Sequence, residues 1–133
     1  MMFTTKTEYG MRAMLALLKA DEKNPLSLAQ IAKEEHISQP YLERLFKQLK
    51  TDGLVKSAKG SSGGYYLARK PQDINMFEIV EALEGPLSVF YCMSEGARKM
   101  VCTPTRCLTK NVWHELQANI IKTLRKFTLA DLA

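Results

Sequence analysis

The chain has 133 residues, 46% of them hydrophobic and 25% charged, which suits one folded domain with its own core and excludes a disordered or low-complexity chain. Nineteen Lys and Arg against fourteen Asp and Glu leave a net charge of +5, an excess that favours a polyanionic partner. No apolar run approaches the roughly 18 residues of a membrane span, and Arg12 and Lys19 bound the apolar stretch 13–18 too closely for a signal peptide, so a cytoplasmic protein without a membrane partner is expected.

From Thr7 to Ala20 the apolar residues Met11, Met14, Leu15 and Leu18 recur at i, i+3, i+4 and i+7, which predicts a helix with one apolar face. The polar stretch Asp21–Pro25 reads as a loop. Ser27 and Gln30 form a capping-box pattern that opens a short helix carrying Leu28, Ile31 and Ala32 and closing near Glu35. His36 lies in the tight turn that follows. Ser38 is a second N-cap and Pro40 suits a first helical turn, opening a helix with Leu42, Leu45, Phe46 and Leu49 on its inner face. Gln39, Tyr41, Glu43, Arg44, Lys47, Gln48 and Lys50 occupy the outer face, and Gly53 closes the helix. This is a helix-turn-helix order.

Leu54–Lys59 and Tyr65–Ala68 alternate like strands around Gly60-Ser61-Ser62-Gly63-Gly64, where glycine permits a sharp turn. A hairpin directly after a helix-turn-helix is a wing, and Lys56, Lys59, Arg69 and Lys70 flank it. Asn75 with Glu78 caps a further helix holding Met76, Ile79, Val80 and Leu83, stopped by Glu84-Gly85-Pro86. Residues 87–108 lack a period and hold all three cysteines. From Thr109 to Phe127 a long amphipathic helix carries Val112, Trp113, Leu116, Ile120 and Leu124. At roughly 27 Å it is long for so little remaining domain, and a partner chain is its natural cover. Trp113 reads as an anchor of that interface or of the cysteine loop.

The outer face of helix 38–50 mixes cations with planar hydrogen-bonding groups, the chemistry needed to address base edges, while hydroxyls and the helix N-terminus hold phosphates. Backbone at Gly60 and Ser61 can approach a phosphate closely beside Lys59. The expected fold is mostly α: a winged helix-turn-helix DNA-binding domain at 1–85 with a two-stranded wing, a cysteine-containing sensor loop at 86–108, and a dimerisation helix and tail at 109–133. No nucleophile–base pair, Walker loop or dinucleotide fingerprint is present, so an enzyme is not expected.

Ser38-Gln-Pro-Tyr-Leu-Glu-Arg-Leu-Phe-Lys-Gln-Leu-Lys50, Gly53-Leu-Val, Lys59-Gly-Ser-Ser-Gly-Gly-Tyr65 and Glu78-Ile-Val-Glu-Ala-Leu-Glu-Gly85 closely resemble the IscR/NsrR family of bacterial transcriptional regulators. The resemblance implies a homodimer on a roughly palindromic duplex DNA site, with Ser38, Tyr41, Glu43 and Arg44 at the major groove. It also implies that Lys59 stands where family members often place an arginine entering the minor groove. Lysine keeps the charge there and loses the planar group that narrow grooves favour. Members with three clustered cysteines carry an iron–sulfur cluster, here expected on Cys92, Cys102 and Cys107, with either two or four irons. For a fourth ligand the resemblance offers Glu8 from the partner subunit, with His114 as runner-up. Two rival readings stay open: a cluster-free DNA-binding regulator switched by thiol oxidation or a protein partner, and an interaction module stabilised by zinc on the same cysteines and His114.

Overall fold

A computed structural model of the protein describes residues 3–60, 63–94 and 107–133. Thr4, in extended conformation, accepts the Lys6 amide on its hydroxyl and opens helix α1 (Thr5–Ala16). The helix was expected to run to Ala20, but it tightens into a 3-10 turn at Leu17–Lys19. Its buried stripe is also turned by one residue from the expected one: Gly10, Ala13, Met14 and Leu17 are buried, whereas Met11, Leu15 and Leu18 pack on the core while partly exposed. Small residues cause the turn. A Cβ on Gly10 would lie 2.2 Å from Leu83 Cδ1, so any larger residue there requires the Leu83 side chain of the neighbouring helix to shift.

Helix α2 (Leu28–Glu35) starts where Ser27 Oγ accepts the Gln30 amide at 3.1 Å. The returning half of the expected capping box is not made, because Gln30 Nε2 donates instead to the charged acceptor Glu34 Oε1, 3.1 Å away and one turn on. His36 ends α2 in the left-handed region at φ 55. Helix α3 (Gln39–Thr51) follows at once, capped by Ser38 Oγ on the Tyr41 amide at 3.3 Å, with Pro40 in its first turn. Leu42, Leu45, Phe46 and Leu49 are each at most 4% exposed. One face of α3 is therefore wholly committed to the core, which fixes how the other is presented.

Strands β1 (Val55–Ala58) and β2 (Gly64–Leu67) pair antiparallel, from Val55 opposite Leu67 to Ala58 opposite Gly64. Tyr65 exchanges both backbone hydrogen bonds with Leu26, at 2.8 and 3.0 Å, and its ring packs 4.8 Å from Phe46. That bridge needs Gly64, whose Cβ would stand 2.6 Å from the Leu26 carbonyl oxygen. The hairpin is thus held at both ends, with Val55 at its root 1% exposed and Tyr65 near its turn bridged to Leu26.

Helix α4 (Met76–Glu84) has the complete capping box of Asn75 and Glu78. Helix α5 (Lys110–Lys126) lies within a residue of its expected bounds at each end. Beyond it the chain turns back: the Met76 amide donates to the Phe127 carbonyl at 2.9 Å, the Leu129 amide to that of Ile74 at 3.0 Å, and Leu129 is 0% exposed. No residue of α5 is itself fully buried. Leu124 packs on the core, while Val112 and Leu116 stay 59% and 43% exposed. No helix among the described residues is long and apolar enough to cross a membrane.

Candidate nucleic-acid interface and thiol segment

Ser38, Gln39, Glu43, Arg44 and Lys47 are all exposed on or at the start of α3, opposite its buried leucine and phenylalanine stripe. Arg44 and Lys47 take part in no ion pair among the described residues. Their charges are available to a ligand. Ser38 spends one lone pair on its cap and keeps its hydroxyl proton free to donate. Glu43 has no cation against it among the described residues, so its carboxylate repels phosphates and can accept from an exocyclic amine such as that of cytosine. Tyr41 differs from these neighbours. It is half-buried, edge-on to Tyr9 with ring centroids 5.8 Å apart, and its hydroxyl lies 3.3 Å from Thr5 Oγ1. Through Tyr41 the first turns of α1 brace α3.

On the wing, Lys56 and Lys59 are exposed and free of ion pairs among the described residues, and Gly60 sits at φ 110 with its carbonyl accepting the Gly63 amide at 3.0 Å. Ser61 lies outside the described residues. Arg69, counted from sequence among the cations flanking the wing, is occupied: its guanidinium pairs with Glu78 at 2.7 Å and donates to the Asp73 carbonyl at 2.9 Å. It fastens the end of the hairpin to α4.

Two of the three thiols are described. Cys92 is half-buried in a 3-10 turn at Tyr91–Met93. Cys107 is exposed just before α5, its Sγ 3.6 Å from Thr109 Oγ1. The hydroxyl and amide of Thr109 hold the Cys107 thiol below its ordinary range, aided by the amide and charge of Lys110 and opposed by slight burial. The segment before Cys92 is clamped to α5, since Phe90 meets the Trp113 ring at 4.8 Å and the Val89 amide donates to Gln117 Oε1 at 3.0 Å. Trp113 therefore anchors the cysteine-bearing segment.

Cys102 lies outside the described residues. Glu8 is exposed on α1, and His114 is half-buried beside Trp113. No three metal-ligating side chains converge among the described residues.

Sequence reasoning missed Glu84. Its Oε1 accepts four hydrogen bonds from the start of α1: the Thr4 amide at 2.9 Å, the Thr4 hydroxyl at 2.6 Å, the Thr7 amide at 3.3 Å and the Thr7 hydroxyl at 2.8 Å. The pair of threonines three apart at a helix start was the available sign that an acceptor was wanted. Nothing local identified a carboxylate some eighty positions on.

The family model for Rrf2, described as an iron-dependent transcriptional regulator, matches residues 3–133. The chain is 36% identical over 132 residues to a putative HTH-type transcriptional regulator of Haemophilus influenzae, covering 99% of this chain and 86% of that one. Among solved structures, IscR of T. potens superposes with a TM-score of 0.77 at 37% identity, covering 99% of this chain and 85% of that one. CymR, the global cysteine regulator of B. subtilis, superposes with a TM-score of 0.82 at 33% identity, covering 100% and 96%.

Proposed function

The chain belongs to the Rrf2 family of transcriptional regulators, and from that premise we propose a homodimeric regulator that reads duplex DNA and senses through an iron–sulfur cluster on its cysteine segment. It has a winged helix fold and is not an enzyme; its relatives regulate transcription. One observation carries the DNA-binding face. Helix α3 buries four large apolar side chains and presents Gln39, Glu43, Arg44 and Lys47 exposed, the three charged ones in no ion pair among the described residues, with the hairpin beside it. Ser38, Gln39, Tyr41, Glu43, Arg44 and Lys47 then address the major groove, with Tyr41 also held against Tyr9 and Thr5 of α1, and Lys59, Gly60 and Ser61 meet the backbone or minor groove. The exposed Val112 and Leu116 on α5 support pairing across a two-fold axis, which sets two recognition helices about 34 Å apart on a roughly palindromic site. On this reading, 1–85 binds DNA, 86–108 senses and 109–133 dimerises, in the cytoplasm.

The chemistry of the two described thiols suits a cluster. Cys92 and Cys107 are soft thiol ligands on segments held by the Phe90–Trp113 clamp, and Thr109 favours the thiolate of Cys107, the form that binds iron. Cys92, Cys102 and Cys107 would hold the cluster, with the partner's Glu8, or His114, completing it. A bound cluster supplies a redox- and ligand-responsive centre; the protein's part is to exclude or admit solvent and to supply thiolates. A second reading, switching by thiol oxidation without a cluster, is favoured by the exposure and lowered pKa of Cys107.

Anaerobic purification, a visible spectrum and assays of iron and sulfide, combined with duplex binding across salt, test the proposal. Iron and sulfide in equal amounts with thiolate-to-iron charge-transfer bands, lost in Cys102→Ala, are expected. A colourless, iron-free protein after reconstitution overturns the cluster, and absence of salt-dependent duplex binding overturns the regulator itself.

A further inference from the structure

Between the last turn of α3 and the wing lies a cleft of about 350 Å³, lined by Lys50, Gly53, Lys56, Ser57 and Tyr66 among others, with no acidic residue in its lining. Lys50 Nζ donates to Ser57 Oγ at 2.8 Å. Neither Lys50 nor Lys56 takes part in an ion pair among the described residues, whereas Arg12, Lys19 and Arg69 each have a carboxylate partner. Lys56 stands directly opposite Tyr66 in the hairpin register, so both side chains belong to the same face of the sheet. On α3, Lys50 follows Lys47 by three positions and Glu43 by seven, on the edge of the outward face nearest the wing.

The geometry points to a phosphate-binding site at the Lys50–Ser57 pair that takes the sugar–phosphate ridge of the DNA and joins recognition helix to wing. This rests on the duplex-binding reading. The two grooves of a duplex are separated by one backbone strand, so a protein with a helix in one groove and a hairpin in the next must pass that strand between them. The cleft is where it passes. The chemistry there is complementary: the ammonium has two further N–H groups to donate, and Ser57, which accepts from Lys50, still has its own O–H to give. Both can address one phosphate. Holding Lys50 on Ser57 also removes part of the freedom that a long side chain loses on binding. Lys56 adds a second positive charge beside the cleft, from the face of the hairpin opposite to that of Ser57. The site is sequence-independent and fixes the register in which Gln39, Glu43 and Arg44 meet the bases.

The test uses the full chain, a random-sequence duplex of about three helical turns, and fluorescence anisotropy over a range of salt. Lys50→Gln is expected to weaken binding about tenfold at low salt and to flatten the salt slope by about 0.9 for each protomer engaged. Lys50→Arg retains the slope. Ser57→Ala leaves the slope unchanged and weakens binding severalfold when Lys50 is present, with no further loss when combined with Lys50→Gln. Thermal unfolding of each variant confirms the fold, which does not depend on these accessible side chains. A wild-type slope in Lys50→Gln, with Lys47→Ala or Arg44→Ala still weakening binding, overturns this site alone. Wild-type protein without duplex affinity at any salt overturns the duplex-binding reading as well. Inorganic phosphate, titrated at constant ionic strength, separates the other source. Submillimolar phosphate binding that shifts the Ser57 amide resonance, together with an unchanged duplex slope in Lys50→Gln, marks a free-anion site and also overturns the proposal.

Discussion

Replacing Glu84 by glutamine tests whether a single carboxylate holds the start of α1 to the end of α4. Four donors from Thr4 and Thr7 meet its Oε1. Glutamine keeps one oxygen acceptor and loses the charge that interacts with the positive end of α1, worth about 0.3–1 kcal/mol. Alanine also strands the donors, a loss comparable to a deleted N-cap at about 0.5–2 kcal/mol. Glu84→Gln should therefore cost about 1 kcal/mol and Glu84→Ala up to about 3. For a chain of this size each kcal/mol lowers Tm by about 3–5 °C. The pH dependence is distinctive. Partial burial raises the Glu84 carboxyl, but the hydrogen bonds from Thr4 and Thr7 outweigh it and set the pKa below its ordinary 4.5. A carboxylate depressed in the folded state contributes stability above its unfolded pKa and loses it as pH falls through the folded one. The stability gap between wild type and Glu84→Gln should stay constant from neutral pH down to about 5 and close below that. Urea unfolding at a series of pH values measures it. A gap that is absent at neutral pH, or widens on acidification, refutes the reasoning.

Gly10→Val drives side-chain atoms into Leu83, whose Cδ1 is 2.2 Å from where a Cβ would sit, and should destabilise by about 1–3 kcal/mol, with partial recovery on combination with Leu83→Ala in chemical denaturation. Leu129→Ala should cost about 2–5 kcal/mol in the same assay, since Leu129 is 0% exposed and the tail is built into the core. Leu116→Glu, at a 43% exposed position, should leave secondary structure intact by circular dichroism and shift sedimentation from dimer to monomer. Arg12→Gln, breaking the 3.1 Å pair with Glu35, should cost at most about 1 kcal/mol and leave the salt slope of duplex binding alone, whereas Lys47→Gln should flatten that slope and leave Tm unchanged.

Much of the fold could be read from local chemistry because its elements announce their own ends. Ser27, Ser38 and Asn75 each cap the helix they were expected to open, and α3 buries the four residues its spacing selected. Where local reading went astray, a competing partner decided. Gln30 turned to Glu34, Arg69 turned to Glu78, and the buried face of α1 rotated toward Gly10 and Ala13. That rotation was invisible to a count of large apolar residues, because a close helix crossing selects small ones. The candidate DNA face was legible for the same reason α3 was: residues opposite a buried stripe must point outward. Tyr41 showed the limit of that rule, since its polar hydroxyl placed it on the outer face while its ring found Tyr9. The return of Leu129 to the core carries no periodic signal in a segment of so few residues.

The division of cations by partner ties these observations together. Arg12 joins α1 to α2, Lys19 joins the 3-10 turn after α1 to α2, and Arg69 joins the hairpin to α4, each through a carboxylate. Their charge is largely cancelled at short range. Arg44, Lys47, Lys50, Lys56 and Lys59 have no such partner among the described residues, and all lie on α3 or the hairpin. Lys6 on α1, Lys33 on α2 and Lys122 on α5 likewise lack a carboxylate partner among the described residues, so what marks α3 and the hairpin is that five cations lie there together and none is cancelled by an ion pair. Exposed like charges gathered on one face repel one another, a cost relieved when a polyanion lies across them and its counterions are released. The same sequence could have paired these lysines with its exposed acids. The three ion pairs fall on cations that hold elements together, while those of α3 and the hairpin stay available to a ligand.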